Sequence, residues 1–192
     1  EAPERDRARI AGRSAKADVE RALDRIAAEA REGDQVLVVL IGHGSHEGPQ
    51  SRLNLPGPDV TAAEIGRRLD AVRARVAVVN AASASGDWVA ALAKPGRIVA
   101  TATKTAYERN ETRFPQYFAQ AYADDAADTD KDGRVSLLEA FDFARREVAR
   151  DYQQRRNLLT EHAMLDGDGD GTGAAEPTAQ TPDGRLAHAF VL

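Results

Sequence analysis

The sequence has no cysteine. That excludes a disulfide framework, a thiolate nucleophile and a cysteine-ligated zinc cluster. Methionine and tryptophan occur once each, and aromatic residues make up only 5% of 192 residues. No apolar run approaches the roughly 18 residues of a membrane-spanning helix, so no membrane span is expected. Basic residues are not in excess: 26 Lys and Arg face 31 Asp and Glu, a net charge of -5. Without a basic stripe to displace counterions, a nucleic-acid partner is not expected either. The first residue is Glu1 rather than methionine, which reads as a processed or trimmed product.

What is present fits a soluble globular chain, 42% hydrophobic and 30% charged, long enough for a single domain over residues 1–192. Its periodicity alternates helix and strand. Ser14 is a candidate N-cap for a helix whose apolar face is Val19, Ala22, Leu23, Ile26, Ala27 and Ala30. Residues 35–41 form a continuous apolar run of strand length, as do 75–81 and 97–103, the pattern of strands covered on both faces. Between them, residues 42–58 read as a Gly- and Pro-rich loop. Thr61 and Glu64 form a capping box for a helix with Ile65, Leu69 and Val72 inward. A short helix spans "DWVAALAK" and ends at Pro95-Gly96. Two later helices are expected around residues 113–123 and 136–155, and a terminal strand over "RLAHAFVL" (185–192). This alternation predicts an α/β fold with a mainly parallel sheet and helices on both faces.

In such sheets, ligands and catalytic groups gather beyond the carboxyl ends of the strands. The first strand ends on Gly42-His43-Gly44-Ser45, and the second on Asn80-Ala81-Ala82-Ser83-Ala84-Ser85-Gly86. A histidine between glycines can serve as a general base, and a hydroxyl at the neighbouring strand end as a nucleophile. The same residues also suit a plain turn and a helix cap. His46 reads as a solvent-exposed loop residue, His162 as a possible support for the site, and His188 as structural.

The stretches "GDQVLVVLIGHGS" and "VAVVNAASASG" resemble the caspase-like cysteine peptidases, most closely the legumain branch, where strands end on Asp-His-Gly-Ser and Ala-Cys-Glu-Ser-Gly. "RIVATATKTAYERNETRF" and "TEHAML" extend the resemblance more weakly. It implies a three-layer α/β/α sandwich whose first strand or strands this chain lacks. On that pattern His43 takes the place of the catalytic histidine, and Gly44 that of the glycine whose N–H helps hold the oxyanion. Ser83 stands where the family has its cysteine, and Ala84 where it has a glutamate lining the specificity pocket. A serine hydrolase, a non-catalytic relative and an introduced Cys→Ser replacement all remain open, the last weakened by the second change at Ala84.

Two acidic loops follow. "DTDKDGRVSLLE" (128–139) matches the twelve-residue EF-hand loop: Asp128, Asp130 and Asp132 at positions 1, 3 and 5, Gly133 at 6, the Arg134 carbonyl at 7, Ser136 at 9 and Glu139 at 12. Ser136 and Glu139 also form a capping box. "DGDGDGTGAAEP" (166–177) repeats the first half, with Asp166, Asp168, Asp170 and the position-7 residue Thr172, but it ends on Pro177 with no exit helix. All these ligands are oxygens, which makes Ca2+ the expected cofactor.

The function these features imply is that of a bacterial-type, calcium-binding caspase/legumain-like peptidase homologue with a His43–Ser83 pair. It would act by acyl transfer on a peptide or ester bond. The alternative is a non-catalytic, calcium-stabilised module that binds a peptide or protein ligand. The calcium loops and the absence of an initiator methionine favour a periplasmic or extracellular setting.

Overall fold

A computed structural model describes Arg7 and residues 9–192. Its elements in chain order are α1 (Lys16–Glu29), β1 (Gln35–Leu40), β2 (Gly44–Glu47), β3 (Gln50–Leu53), β4 (Val60–Thr61), α2 (Ala62–Leu69), β5 (Arg75–Asn80), α3 (Trp88–Leu92), β6 (Arg97–Thr101), α4 (Phe114–Ala121), α5 (Leu137–Gln154), β7 (Met164–Asp166) and α6 (Pro182–His188).

The three continuous aliphatic runs become β1, β5 and β6, paired in parallel in the order β1-β5-β6, with β7 added antiparallel beyond β6. Their alternation sorts the side chains onto two faces. Ala77, Val79, Ile98 and Ala100 point into a core with Phe114 and Phe118 of α4 and Phe141 and Val148 of α5. Val76, Val78 and Val99 point the other way, onto Leu23, Ile65, Leu69, Trp88 and Leu92 of α1, α2 and α3. The result is the expected mixed α/β architecture: a mainly parallel sheet with helices on both faces.

Register aligns the strand ends. Leu40 lies opposite Asn80, and Asn80 opposite Thr101, so the connections after β1, β5 and β6 all leave one edge. Met164 of antiparallel β7 lies opposite Thr101, so the segment leading into β7 crosses the same edge.

Both capping boxes form: Thr61 and Glu64 at α2, Ser136 and Glu139 at α5. Three local expectations are corrected. The helix near residue 14 is capped at Ala15, whose side chain has no acceptor, not at Ser14. The 42–58 segment is not an open loop. It holds the antiparallel hairpin β2–β3, turned at Gly48 (φ 72), with β4 added to β3. The terminal segment is helical rather than extended. Thr181 caps it by accepting the Gly184 N–H at 3.3 Å, and Pro182 sits in its first turn. Only Val191 keeps an extended contact, a bridge to Ser136.

Phe141 is fully buried, with its ring centroid 5.9 Å from that of Phe114. Phe141→Ala should therefore cost about 3–5 kcal/mol, read as a lower midpoint in urea unfolding. Ser136→Ala, which removes one cap, should cost only about 1 kcal/mol.

Candidate functional site at the carboxyl edge of the sheet

His43 and Ser83 lie just beyond the aligned ends of β1 and β5, as their places in the sequence require. Their environments differ. His43 is exposed, and its ring makes no hydrogen bond or ion pair among the described residues. Ser83 is only 4% exposed. Its hydroxyl accepts the Gly44 N–H at 3.1 Å and donates to the Gly44 carbonyl at 3.2 Å. No hydrogen bond joins Ser83 to His43.

This double link depends on a close approach of two backbones. A Cβ on Gly44 would lie 2.0 Å from the Ser83 carbonyl oxygen, so only glycine fits there. The β2–β3 hairpin is thereby tied to the end of β5. The chain after Ser83 is held as firmly. Ala84 takes a left-handed conformation (φ 53), which costs a non-glycine residue on the order of 1 kcal/mol. Its N–H donates to the Glu108 carbonyl at 2.8 Å. Ser85 is buried and bonded to Thr103 through both its N–H and its hydroxyl.

His46 is half-buried rather than exposed. It lies on β2, with Nδ1 3.3 Å from the Ser51 hydroxyl and 4.0 Å from the Asp87 carboxylate, and its ring meets Tyr107 edge-on at 5.4 Å. Both polar partners sit at Nδ1, so the three do not form a nucleophile–base–acid relay, in which serine and carboxylate occupy opposite ring nitrogens. His162 is joined to the edge through Glu108, Nδ1 to carboxylate at 2.6 Å. Neighbouring Glu161 is buried and accepts the Arg113 and Phe114 N–H groups at the start of α4. Burial pushes its carboxyl pKa up, against the pull of those hydrogen bonds. Neither His46 nor Glu108 is marked by any local motif in the sequence; only the hairpin and the long crossing into β7 bring them to the edge.

The two acidic loops fold alike through position 7. At position 1, Asp128 and Asp166 accept the N–H of Gly133 and Gly171. At position 3, Asp130 and Asp168 accept the N–H of Asp132 and Asp170. At position 5, Asp132 and Asp170 accept the N–H of Arg134 and Thr172. In the first loop, carboxylate oxygens of Asp128, Asp130 and Glu139 lie within 4.8 Å of one another. Asp128 Oδ1 is buried without a hydrogen-bond partner. Burial raises the Glu139 pKa, but the bonds from Ser136 and Thr129 outweigh it and leave the carboxyl below its usual range.

In the second loop the third carboxylate is Asp183, from the first turn of α6, within 4.8 Å of those of Asp166 and Asp168. Pro177, at position 12 of the loop, has no carboxylate to offer. The sequence hides Asp183 because it lies outside the twelve-residue frame, ahead of the terminal segment 185–192 expected as a strand. Burial raises the pKa of both Asp166 and Asp183, and the neighbouring loop carboxylates add to the effect. The other end of α6 places His188 Nδ1 4.0 Å from Asp130 of the first loop.

No family model matches the chain, and no curated protein matches it. Among solved structures it is similar to the crystal structure of protein GSU0716 from Geobacter sulfurreducens, at a TM-score of 0.54 and 14% sequence identity. The likeness covers 93% of this chain and 80% of that one, and it is a likeness of fold.

Ser83→Ala removes both links to Gly44 and leaves its backbone groups unpaired. It should cost about 1–3 kcal/mol of stability in chemical unfolding. Gly44→Ala should be worse, because the intruding methyl meets rigid backbone.

Proposed function

We propose that this chain is a caspase/legumain-like domain that has left peptide cleavage behind and serves as a calcium-stabilised binding module. One observation carries this reading. The Ser83 proton is directed to the Gly44 carbonyl, not to an imidazole, and the Gly44 N–H that would hold an oxyanion is occupied by the Ser83 oxygen. A nucleophilic serine needs a base within hydrogen-bond reach and a free oxyanion donor. Here both requirements give way to a structural tie.

Calcium is the second part of the proposal. Asp128, Asp130, Asp132, Glu139 and the Arg134 carbonyl would hold one ion. Asp166, Asp168, Asp170, Asp183 and the Thr172 carbonyl would hold another. The fit is supported by the unpartnered, buried Asp128 Oδ1 and by the convergence of carboxylates at each loop. Converging carboxylates repel one another, and a hard divalent cation relieves that repulsion with oxygen ligands alone. Bound calcium would stabilise the fold through its attachments. The first loop leads into α5, and the second is closed by α6. A periplasmic or extracellular setting, where calcium is abundant, agrees with this reading. No helix among the described residues is long and apolar enough to cross a membrane.

A fluorophosphonate probe should leave the folded chain unlabelled, and Ser83→Cys should gain no peptide-cleaving activity. Labelling at Ser83, or turnover by either form, would overturn the non-catalytic reading. Calcium should raise the melting temperature relative to excess chelator, by the ordinary linkage of binding to folding. Asp183→Asn should remove the part of that rise due to the second loop and keep the part due to Asp128–Glu139. Affinity for calcium should fall on acidification, since the ligands bind as carboxylates.

A further inference from the structure

Burying a carboxylate is costly unless a cation or a full set of hydrogen bonds offsets the loss of water. Outside the acidic loops, Glu161 is the only buried carboxylate among the described residues, at 3% exposure. Its partners are all neutral donors: the Arg113 N–H at 2.9 Å, the Phe114 N–H at 3.2 Å and the Tyr152 hydroxyl. It forms no ion pair among the described residues. The Arg113 guanidinium acts on it only through space, being paired with Asp151 at 2.7 Å. The start of α4 adds about half a positive charge, which leaves the carboxylate partly uncompensated. Burial without a counter-ion accords with its raised pKa.

Glu161 also lines a cavity of about 190 Å³ between α5 and the segment leading into β7. Most of the remaining wall is apolar: Phe114, Val148, Ala149, Leu159 and Ala163. Neither His43 nor Ser83 borders it. At roughly 30 Å³ per water-sized group, it holds about six non-hydrogen atoms. The other charged residues at the wall do not offset Glu161. Arg145 is shared between Asp142 at 2.8 Å and Glu176 at 2.9 Å, so that group of three is net negative. His162 is bonded through Nδ1 to the Glu108 carboxylate. Ala149 and Glu176 are exposed and mark the mouth, whereas Glu161 is buried.

We propose that this cavity binds a short alkylammonium ion, with the ammonium against Glu161 and the chain along Phe114, Val148 and Leu159. The proposal rests on the binding-module reading and gives it a ligand class. An ammonium supplies the counter-charge that neutral donors lack. A carboxylate has about four acceptor sites, and the three present donors leave room for it. The aliphatic walls suit methylene groups, which a hydrated metal ion does not offer. A neutral apolar ligand would fill the space and leave the carboxylate uncompensated, and an anion would be repelled by it.

The test uses the full, isotope-labelled chain with calcium, titrated with n-butylammonium chloride at constant ionic strength and followed by amide chemical shifts. The Arg113, Phe114 and Ala163 amides should shift and saturate together. Each methylene removed from the ligand, down to methylammonium, should weaken binding about fourfold. Replacing the ammonium by a hydroxyl, in n-butanol, should weaken it about tenfold, and Glu161→Gln should erase that difference. Because Glu161→Gln also loosens the start of α4, Ala149→Phe gives an independent check. At its exposed position by the mouth, it should abolish binding with an unchanged melting temperature. Equal binding of n-butylammonium and n-butanol to the unmodified chain would overturn the proposal. So would tighter binding of butyrate, normal binding by Ala149→Phe, or no saturation up to about 50 mM ligand. The two readings fail separately: labelling of Ser83 by a fluorophosphonate would sink the non-catalytic one without changing the response to the amine.

Discussion

Burial of β5 on both faces is the constraint from which most of this molecule follows. Val76–Asn80 have almost no contact with solvent, so each apolar side chain must find a layer of helices on its own side of the sheet. A strand in that position needs parallel or antiparallel partners for every backbone group, because no water reaches it. β1 pairs with β5 along its whole length, and β6 from Val76 to Asn80. The shared register then fixes where β1, β5 and β6 end together, and hence where loops can collect. The edge bearing His43, Ser83 and the segment after β6 is a consequence of core packing before it is a consequence of chemistry.

At that edge one contact decides how the candidate site residues are disposed. Gly44 and Ser83 approach so closely that a methyl group would not fit between them, and the serine hydroxyl satisfies both backbone groups of the glycine. A small polar side chain does this well. Its oxygen accepts and donates at once, and its volume fits the gap. The two hydrogen bonds that occupy the Ser83 hydroxyl give it a firm structural role. Ala84, held left-handed and bonded to Glu108, carries the order onward into the loop that holds His162.

The acidic loops extend the same logic to the far side of the domain. Both fold around their own backbone N–H groups in the same pattern, which leaves carboxylate oxygens turned toward a common centre. α6 lies between them, with Asp183 at one loop and His188 near Asp130 of the other. Its C-terminal neighbour Phe190 is fully buried and accepts the Leu137 N–H at the start of α5. The last helix is therefore a brace between the two loops and the long helix that the first loop introduces.

Continuous aliphatic runs, capping boxes and the spacing of aspartates determined by themselves the α/β class, the strands β1, β5 and β6, the helices α2 and α5, and the shape of both acidic loops. Those features rest on contacts within a few residues, which a linear pattern can encode. The hairpin after β1, the helix at the C-terminus and the company kept by Ser83 were decided by tertiary structure. Gly44 lies 39 residues from Ser83, and the hydrogen bonds between them exist only once β1 and β5 pair. Asp183 reaches the second loop only after α6 folds back, and His162 meets Glu108 only because β7 runs antiparallel to β6. A residue's type shows what chemistry it could perform. Whether its proton faces a base or a backbone carbonyl depends on which distant segment the buried sheet brings beside it.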